Sequence, residues 1–277
     1  MPDLDDFKRM ERDGWTRADI AQGYADGFAN AAGMVGGALA KAVGAAPGMH
    51  VLDLCTGPGA VAVRLLERGA DVTGLDFSPA MIEIARRAAP EATFVTGDAM
   101  ALDFASATFD AVTIGFGVPH LPDPCAGLAE AARVLKPGGR IAFSIWKGKG
   151  SDGAFGWLFD AVARHGDSSL SLPEGPDAHL LSTLGPARTI AEDAGLTDVA
   201  LTDIIPEIRL NSPEALFDAF DRGAVRAASL LSSQPQARRD AIRADMAHRA
   251  RTHGVTRGGA LFVPAPAALI TARSKRA

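Results

Sequence analysis

A chain of 277 residues with 47% apolar and 22% charged side chains suits one large folded domain, or a core domain with a helical lid, and excludes disordered and fibrous classes. Its net charge of −5 and pI near 5.7 argue against a nucleic-acid partner, which a basic surplus or stripe would mark. Cys55 and Cys125, far apart, offer neither a disulfide framework nor a zinc spacing, and free cysteines point to a reducing cytoplasm. The start, Met1-Pro2-Asp3-Leu4-Asp5-Asp6, is acidic where a signal peptide needs a basic start and then an apolar run. No charge-free apolar run reaches the roughly 18 residues that a membrane span needs.

The predicted elements alternate along the chain. Residues ~16–44 are rich in Ala and Gly, with apolar spacing near three to four, and read as helix. Pro47-Gly48 breaks it, and Val51–Leu54 reads as a buried strand. Gly57-Pro58-Gly59 turns into a helix that runs to about Arg68 and stops at Gly69. Val72–Leu75 is a strand. Ser78 is placed as an N-cap with Pro79 at the first helical position, and that helix runs to about Ala88. Thr93–Val95 and Phe109–Gly115 are strands. Pro122–Leu135 is a helix, Lys136-Pro137-Gly138-Gly139 a turn, and Arg140–Trp146 a strand. This alternation predicts a parallel sheet wrapped by helices. Farther on, Ala154–His165 and Pro186–Ala194 read as helices, Leu196–Leu210 contains a strand, Pro213–Leu231 and Gln236–His253 form a helical pair, and Ala267–Arg273 is a closing strand.

The chemistry-bearing stretch is Asp53-Leu54-Cys55-Thr56-Gly57-Pro58-Gly59, where a strand ends in a carboxylate and turns through glycines into a helix. The glycines alone do not decide the ligand, because Gly57-x-Gly59-x-x-Ala62 also fits the dinucleotide fingerprint. Asp53 weighs against a dinucleotide: a carboxylate there repels pyrophosphate and attracts an ammonium group. Asp76 ends the next strand and can take both ribose hydroxyls, which serves either ligand. Asp98, after the third strand, can accept from an exocyclic adenine amine.

The segments VLDLCTGPGAVA, GLDFSPAMIEIAR, GDAMALDFASATFDAVTIGFGVPHLPDP and RVLKPGGRIAFSIW resemble the successive motifs of class I S-adenosylmethionine-dependent methyltransferases. The resemblance is to the branch with ubiquinone- and menaquinone-biosynthesis and other small-molecule methyltransferases, and it covers residues 48–147. It implies an α/β, Rossmann-like, seven-stranded, mostly parallel sheet with helices on both faces and a helical lid. It further implies one domain: an N-terminal helical cap (1–46), a cofactor-binding core (47–147), lid insertions (148–184 and 211–260) and the rest of the core (185–210 and 261–277). The insertions are expected above the carboxyl ends of the strands.

S-adenosylmethionine is the implied cofactor. Asp53 and Gly57 would hold its amino-acid end, and Gly59 would let the chain pass beneath it. Asp76 would hold the ribose, with Phe77 flanking the adenine, and Met81 is a further cofactor-binding residue. Asp98 and Ala99 would read that base, and Gly115 and Phe116 would pass near the sulfonium. Cys55 departs from the branch's usual apolar residue and reads as a packing thiol.

His120 and His179 are the candidates for a general base, each with a structural reading beside it: fixing the loop, or lying at the surface. No metal is expected. Trp157 and its aromatic neighbours read as packing or as acceptor contacts. The Arg-rich stretch from Arg238 to Arg251 reads as a solvated face, with an anion-binding lid as the alternative. The partner is a small, partly apolar or aromatic acceptor, with neither nucleic acid nor membrane, on a cytoplasmic monomer or homodimer. Two other readings stay open. A nicotinamide oxidoreductase of this fold would need a Tyr-x-x-x-Lys pair, and Tyr24 is the only tyrosine. A protein that binds S-adenosylmethionine without methylating is the other.

Overall fold

The computed structural model describes residues 4–276; the first three residues of the acidic start lie outside it. Helix α1 (Asp5–Thr16) and helix α2 (Ala18–Ala42) open the chain, separated by Arg17 in extended conformation. Strand β1 (His50–Leu54), helix α3 (Ala60–Leu66), strand β2 (Asp71–Asp76), helix α4 (Pro79–Ala88), strand β3 (Thr93–Thr96) and strand β4 (Phe109–Gly115) follow. A 3₁₀ turn (Val118–His120) leads to helix α5 (Pro124–Val134), strand β5 (Leu135–Trp146) and helix α6 (Ala154–His165). A second 3₁₀ turn (Leu180–Ser182) precedes helix α7 (Leu184–Asp193), strand β6 (Leu196–Ile204) and strand β7 (Glu207–Leu210). Helices α8 (Ala215–Gly223), α9 (Val225–Ser232) and α10 (Gln236–His253), then strands β8 (Val255–Arg257), β9 (Ala260–Pro264) and β10 (Ala267–Ser274), complete it.

Seven strands make the main sheet in the order β3-β2-β1-β4-β5-β10-β6. Neighbours from β3 to β5 pair in parallel, and β10 runs antiparallel between β5 and β6. The expected seven-stranded, mostly parallel sheet is therefore the one that forms. Its strands are near-continuous apolar runs because both faces are covered. Val51, Leu52, Val112, Ile114, Ile141 and Phe143 have at most 1% of their surface exposed. Local signals set several ends. The Ser78 hydroxyl accepts from the Met81 amide at 3.3 Å, as an N-cap does, and Asp123 caps α5 at the Ala126 amide, 3.0 Å away.

The structure corrects the sequence reading in four places. The helix expected over ~16–44 forms as α2, but a further helix, α1, precedes it. Lys136-Pro137-Gly138-Gly139 is a bulge within β5 rather than a free turn: pairing with β4 jumps from Phe109–Leu135 to Ala111–Arg140. The stretch from Leu196 to Leu210 holds two strands, because Pro206 has no amide to donate. The expected helical pair is three helices, and β7-β9-β8 form a separate small antiparallel sheet.

By its contacts the chain divides into two compact units. One comprises residues up to Ala31, Lys147–Gly175 and Ile205–Pro266; the other comprises Ala32–Trp146, Pro176–Ile204 and the residues from Ala267 onward. The first unit is helical around an aromatic centre, in which Phe155 meets Phe220 edge-on at 4.9 Å and Phe28 meets Phe220 at 5.6 Å. The second unit holds the main sheet and its apolar core.

Candidate active site

The site residues expected from sequence lie in the sheet-bearing unit, most of them at the carboxyl ends of adjacent strands, where open α/β sheets bind ligands. β1 places Asp53 in a fully buried position. The Thr56 hydroxyl donates to its Oδ2 at 2.6 Å and the Thr113 hydroxyl, from β4, donates to its Oδ1 at 2.9 Å. Burial pushes the Asp53 carboxyl up to about 7 against these two bonds, which pull it down.

β2 ends on Asp76, also buried. Its two oxygens take the amides of Gly57 and Ser78, both at 2.9 Å, so this carboxylate ties the turn after β1 to the turn after β2. Burial raises its carboxyl too, opposed by those amides and by the charge of His120, which is within electrostatic reach. Asp98 follows β3, exposed, with its Oδ1 on the Met100 amide at 2.8 Å; Ala99 beside it is buried. Three neighbouring strands are thus followed or ended by an aspartate. Such a row disfavours a polyphosphate and suits a cationic, hydroxyl-bearing ligand.

The turn between β1 and α3 is shaped for close approach. Gly59 has φ +85°, and a Cβ there would press on the α4 backbone at Ala85, 3.1 Å away. A Cβ at Gly57 would enter open space, so the backbone there is bare toward a ligand. Cys55 and Phe116 are among the few non-glycine residues with positive φ, at 55° and 60°, and they follow adjacent strands. Conformations of this kind gather at ligand sites. Cys55 is half-buried against Gly117, and burial raises its thiol, with three nearby aspartates adding to the rise. A packing thiol is what this describes.

Phe77 is half-buried just after β2, and Met81 is buried on α4. Gly115 ends β4. The Phe116 amide donates to the Ser144 hydroxyl at 3.1 Å, and the ring stacks flat on Trp146, with centroids 3.6 Å apart. His120 closes the 3₁₀ turn after β4. His179 stands in the loop before α7, its Nδ1 at 2.7 Å from the main-chain carbonyl of Trp146.

Sequence reasoning missed Thr56, Thr113, Ser144 and Trp146 as parts of this arrangement. Thr56, three residues after Asp53, had a local signal; the others come from neighbouring strands, whose register no sequence spacing records. The arginines of α10 also read differently in three dimensions. Arg239, Arg243, Arg249 and Arg251 pair with Asp221, Asp218, Asp160 and Glu214, and Arg238 donates to the carbonyls of His165 and Gly166. They tie the helical unit together, and Arg238 and Arg251 do so from exposed positions, so the helix keeps a solvated face.

Residues 51–139 match the family model described as a methyltransferase domain. Strand order, aspartate row and this match define the class: the segment is a methyltransferase domain of the class I, S-adenosylmethionine-dependent kind. Within that class it is similar to demethylmenaquinone methyltransferase of Renibacterium salmoninarum, at 47% identity over 103 residues, 37% of this chain and 44% of that relative. The chain therefore spans under half the length of that relative.

Among solved structures, phosphoethanolamine N-methyltransferase 2 of Haemonchus contortus, in complex with S-adenosylhomocysteine, shares the fold with a TM-score of 0.52 and 19% identity, over 88% of this chain and 53% of that one. The cyclase SpnF shares it with a TM-score of 0.54 and 18% identity, over 88% and 82%. Among the described residues, no helix is long and apolar enough to cross a membrane, and no cluster of three or more His, Cys, Asp or Glu residues could hold a metal ion.

Proposed function

We propose that this protein transfers a methyl group from S-adenosylmethionine to a small, partly apolar or aromatic acceptor. The observation that carries the reading is the aspartate row near the ends of β1 and β2 and just after β3, joined by the Gly57–Asp76 bond inside the segment that matches the methyltransferase domain. Bound there, S-adenosylmethionine supplies a methyl already activated on a sulfonium sulfur. Asp53 and Gly57 take its amino-acid end, and Asp53 holds the turn in place through Thr56. Gly59 lets the chain pass beneath. Asp76 takes the ribose hydroxyls, Phe77 and Met81 flank the adenine, and Asp98 and Ala99 read it. Gly115 and Phe116 line the path to the sulfur.

The acceptor's nucleophilic atom attacks the methyl in line. The new bond to carbon forms as the carbon–sulfur bond breaks, and that bond's electron pair stays on sulfur. Orientation and exclusion of water are the chain's main contributions to rate. The demethylmenaquinone methyltransferase relative supports a hydroquinone-type acceptor. The insertions at 148–184 and 211–260 are assigned to acceptor selection, and the protein to the cytoplasm as a monomer or homodimer that engages neither membrane nor nucleic acid.

The test is calorimetry with S-adenosylhomocysteine, then incubation with S-adenosylmethionine and a panel of reduced naphthoquinones and simple phenols. Binding plus accumulation of S-adenosylhomocysteine is expected. Binding of NADH in place of S-adenosylhomocysteine would overturn the assignment.

A further inference from the structure

The sequence offers two histidines for one proton-transfer role, and the structure separates them. His120 closes the 3₁₀ turn after β4 and acts electrostatically on Asp76, the carboxylate that binds the Gly57 amide. A positive imidazole there favours the ionised form of Asp76, which is the form that accepts from hydroxyls. His120 thus acts on a carboxylate proposed above to hold the donor's ribose, from the turn that follows β4.

His179 is placed otherwise. Its Nδ1 lies 2.7 Å from the carbonyl oxygen of Trp146, the last residue of β5. A carbonyl only accepts, so Nδ1 carries the hydrogen. In a neutral imidazole the lone pair is then on Nε2. The loop around it is held as well: the His179 amide donates to Asp177 Oδ1 at 2.8 Å, and its carbonyl accepts from the Ser182 amide at 2.9 Å. Trp146 carries the stack with Phe116, and Phe116 follows β4, one strand from Asp53. His179 is therefore fixed at the carboxyl end of β5, two strands from β1, which carries Asp53.

We propose that His179 is the general base of the reaction, taking the acceptor's proton at Nε2, with its tautomer set by the Trp146 carbonyl, and that His120 serves the donor instead. This rests on the methyl-transfer reading above. In the step, the acceptor's O–H bond breaks and its proton goes to Nε2, leaving the electron pair on the acceptor. That pair, on oxygen or delocalised to a ring carbon, forms the bond to the methyl as the sulfonium charge is cancelled. Attack by ring carbon leaves a dienone, whose ring C–H then gives its proton to water; the C–H electron pair restores the aromatic ring, and the oxyanion so formed takes a proton back from water. The imidazolium keeps its Nδ1–H bond to Trp146 and returns its proton to water.

The experiment joins a spectrum to two variants. Nitrogen-15 correlation spectra of the wild type at neutral pH should show His179 as the Nδ1–H tautomer. His179→Asn keeps a donor where Nδ1 stands but has no base, so a purely structural role would survive it. It should lower kcat on reduced 1,4-naphthoquinone by about 10²–10⁴, with KM and S-adenosylhomocysteine affinity within about twofold of wild type. His120→Asn should weaken S-adenosylhomocysteine binding. An Nε2–H tautomer at His179, or a His179→Asn variant with wild-type kcat, would overturn the proposal. A wild type that binds S-adenosylhomocysteine and methylates nothing in the panel would count against the methyl-transfer reading itself, and the tautomer would still decide how His179 is held.

Discussion

Asp53 is buried without a cationic partner among its hydrogen bonds, which come from two hydroxyls, and that sets a pH dependence. Its carboxyl titrates near 7 in the folded chain against an ordinary value of 3.8. Between those values the folded chain holds a proton that the unfolded chain releases. The stabilisation is complete below the ordinary value, is lost as pH rises through 7, and changes no further above that. Denaturant midpoints of wild type measured from pH 4 to 8, less those of Asp53→Asn, should decline across that window; a flat difference would show that Asp53 ionises normally. A ligand's ammonium group draws out the charged form, so S-adenosylhomocysteine should bind more tightly at pH 8 than at pH 6 in wild type, with the trend lost in the variant. Asp76→Ala removes the proposed ribose acceptor and the tie to Gly57 together. At about 1.5–3 kcal/mol for each charge-assisted bond, affinity for S-adenosylhomocysteine should fall at least tenfold by calorimetry.

Elements show where sequence reading works and where it stops. The Ser78 cap, Pro79 and the span of α4 are legible because each signal is local. The parallel pairing from β3 to β5 follows from alternation, but the placing of β4 beside β1 rather than β3 does not. The aspartate row was legible for the same reason: each carboxylate stands where a strand ends. The bonds that aim those carboxylates were not, because Thr113 and Ser144 reach in from other strands. The small sheet was missed because β8 is only three residues long and fully exposed, with no apolar alternation. A local signal was there: Gly258-Gly259, both at positive φ, is the two-residue turn between β8 and β9. Helix α1 was missed because its anchor is distant. Glu11, 3% exposed, accepts from Arg226 of α9 at 2.6 Å and from Trp15 at 2.9 Å. Glu11→Ala removes one partner of a largely buried pair and should lower the unfolding free energy by about 3 kcal/mol, read from chemical denaturation; a loss near zero would make the pair incidental.

At the scale of the molecule, the residues proposed to hold the donor belong to one unit and stand at strand ends and in the turns that follow them. A ligand that binds only the folded form stabilises it by mass action. S-adenosylhomocysteine at about a hundred times its dissociation constant should add about 2.7 kcal/mol, seen as a higher unfolding temperature, and Asp76→Ala should abolish most of that rise. The position of β10 has a consequence for the order of events during synthesis. This strand leaves the ribosome after the other six strands of its sheet, yet it lies between β5 and β6 and pairs with both. Until it emerges, β5 and β6 each present an open edge, and an open edge recruits other chains. The nascent sheet therefore waits with β6 unpaired and one edge of β5 bare, and chaperone dependence and truncation-induced aggregation should both trace to residues 267–274.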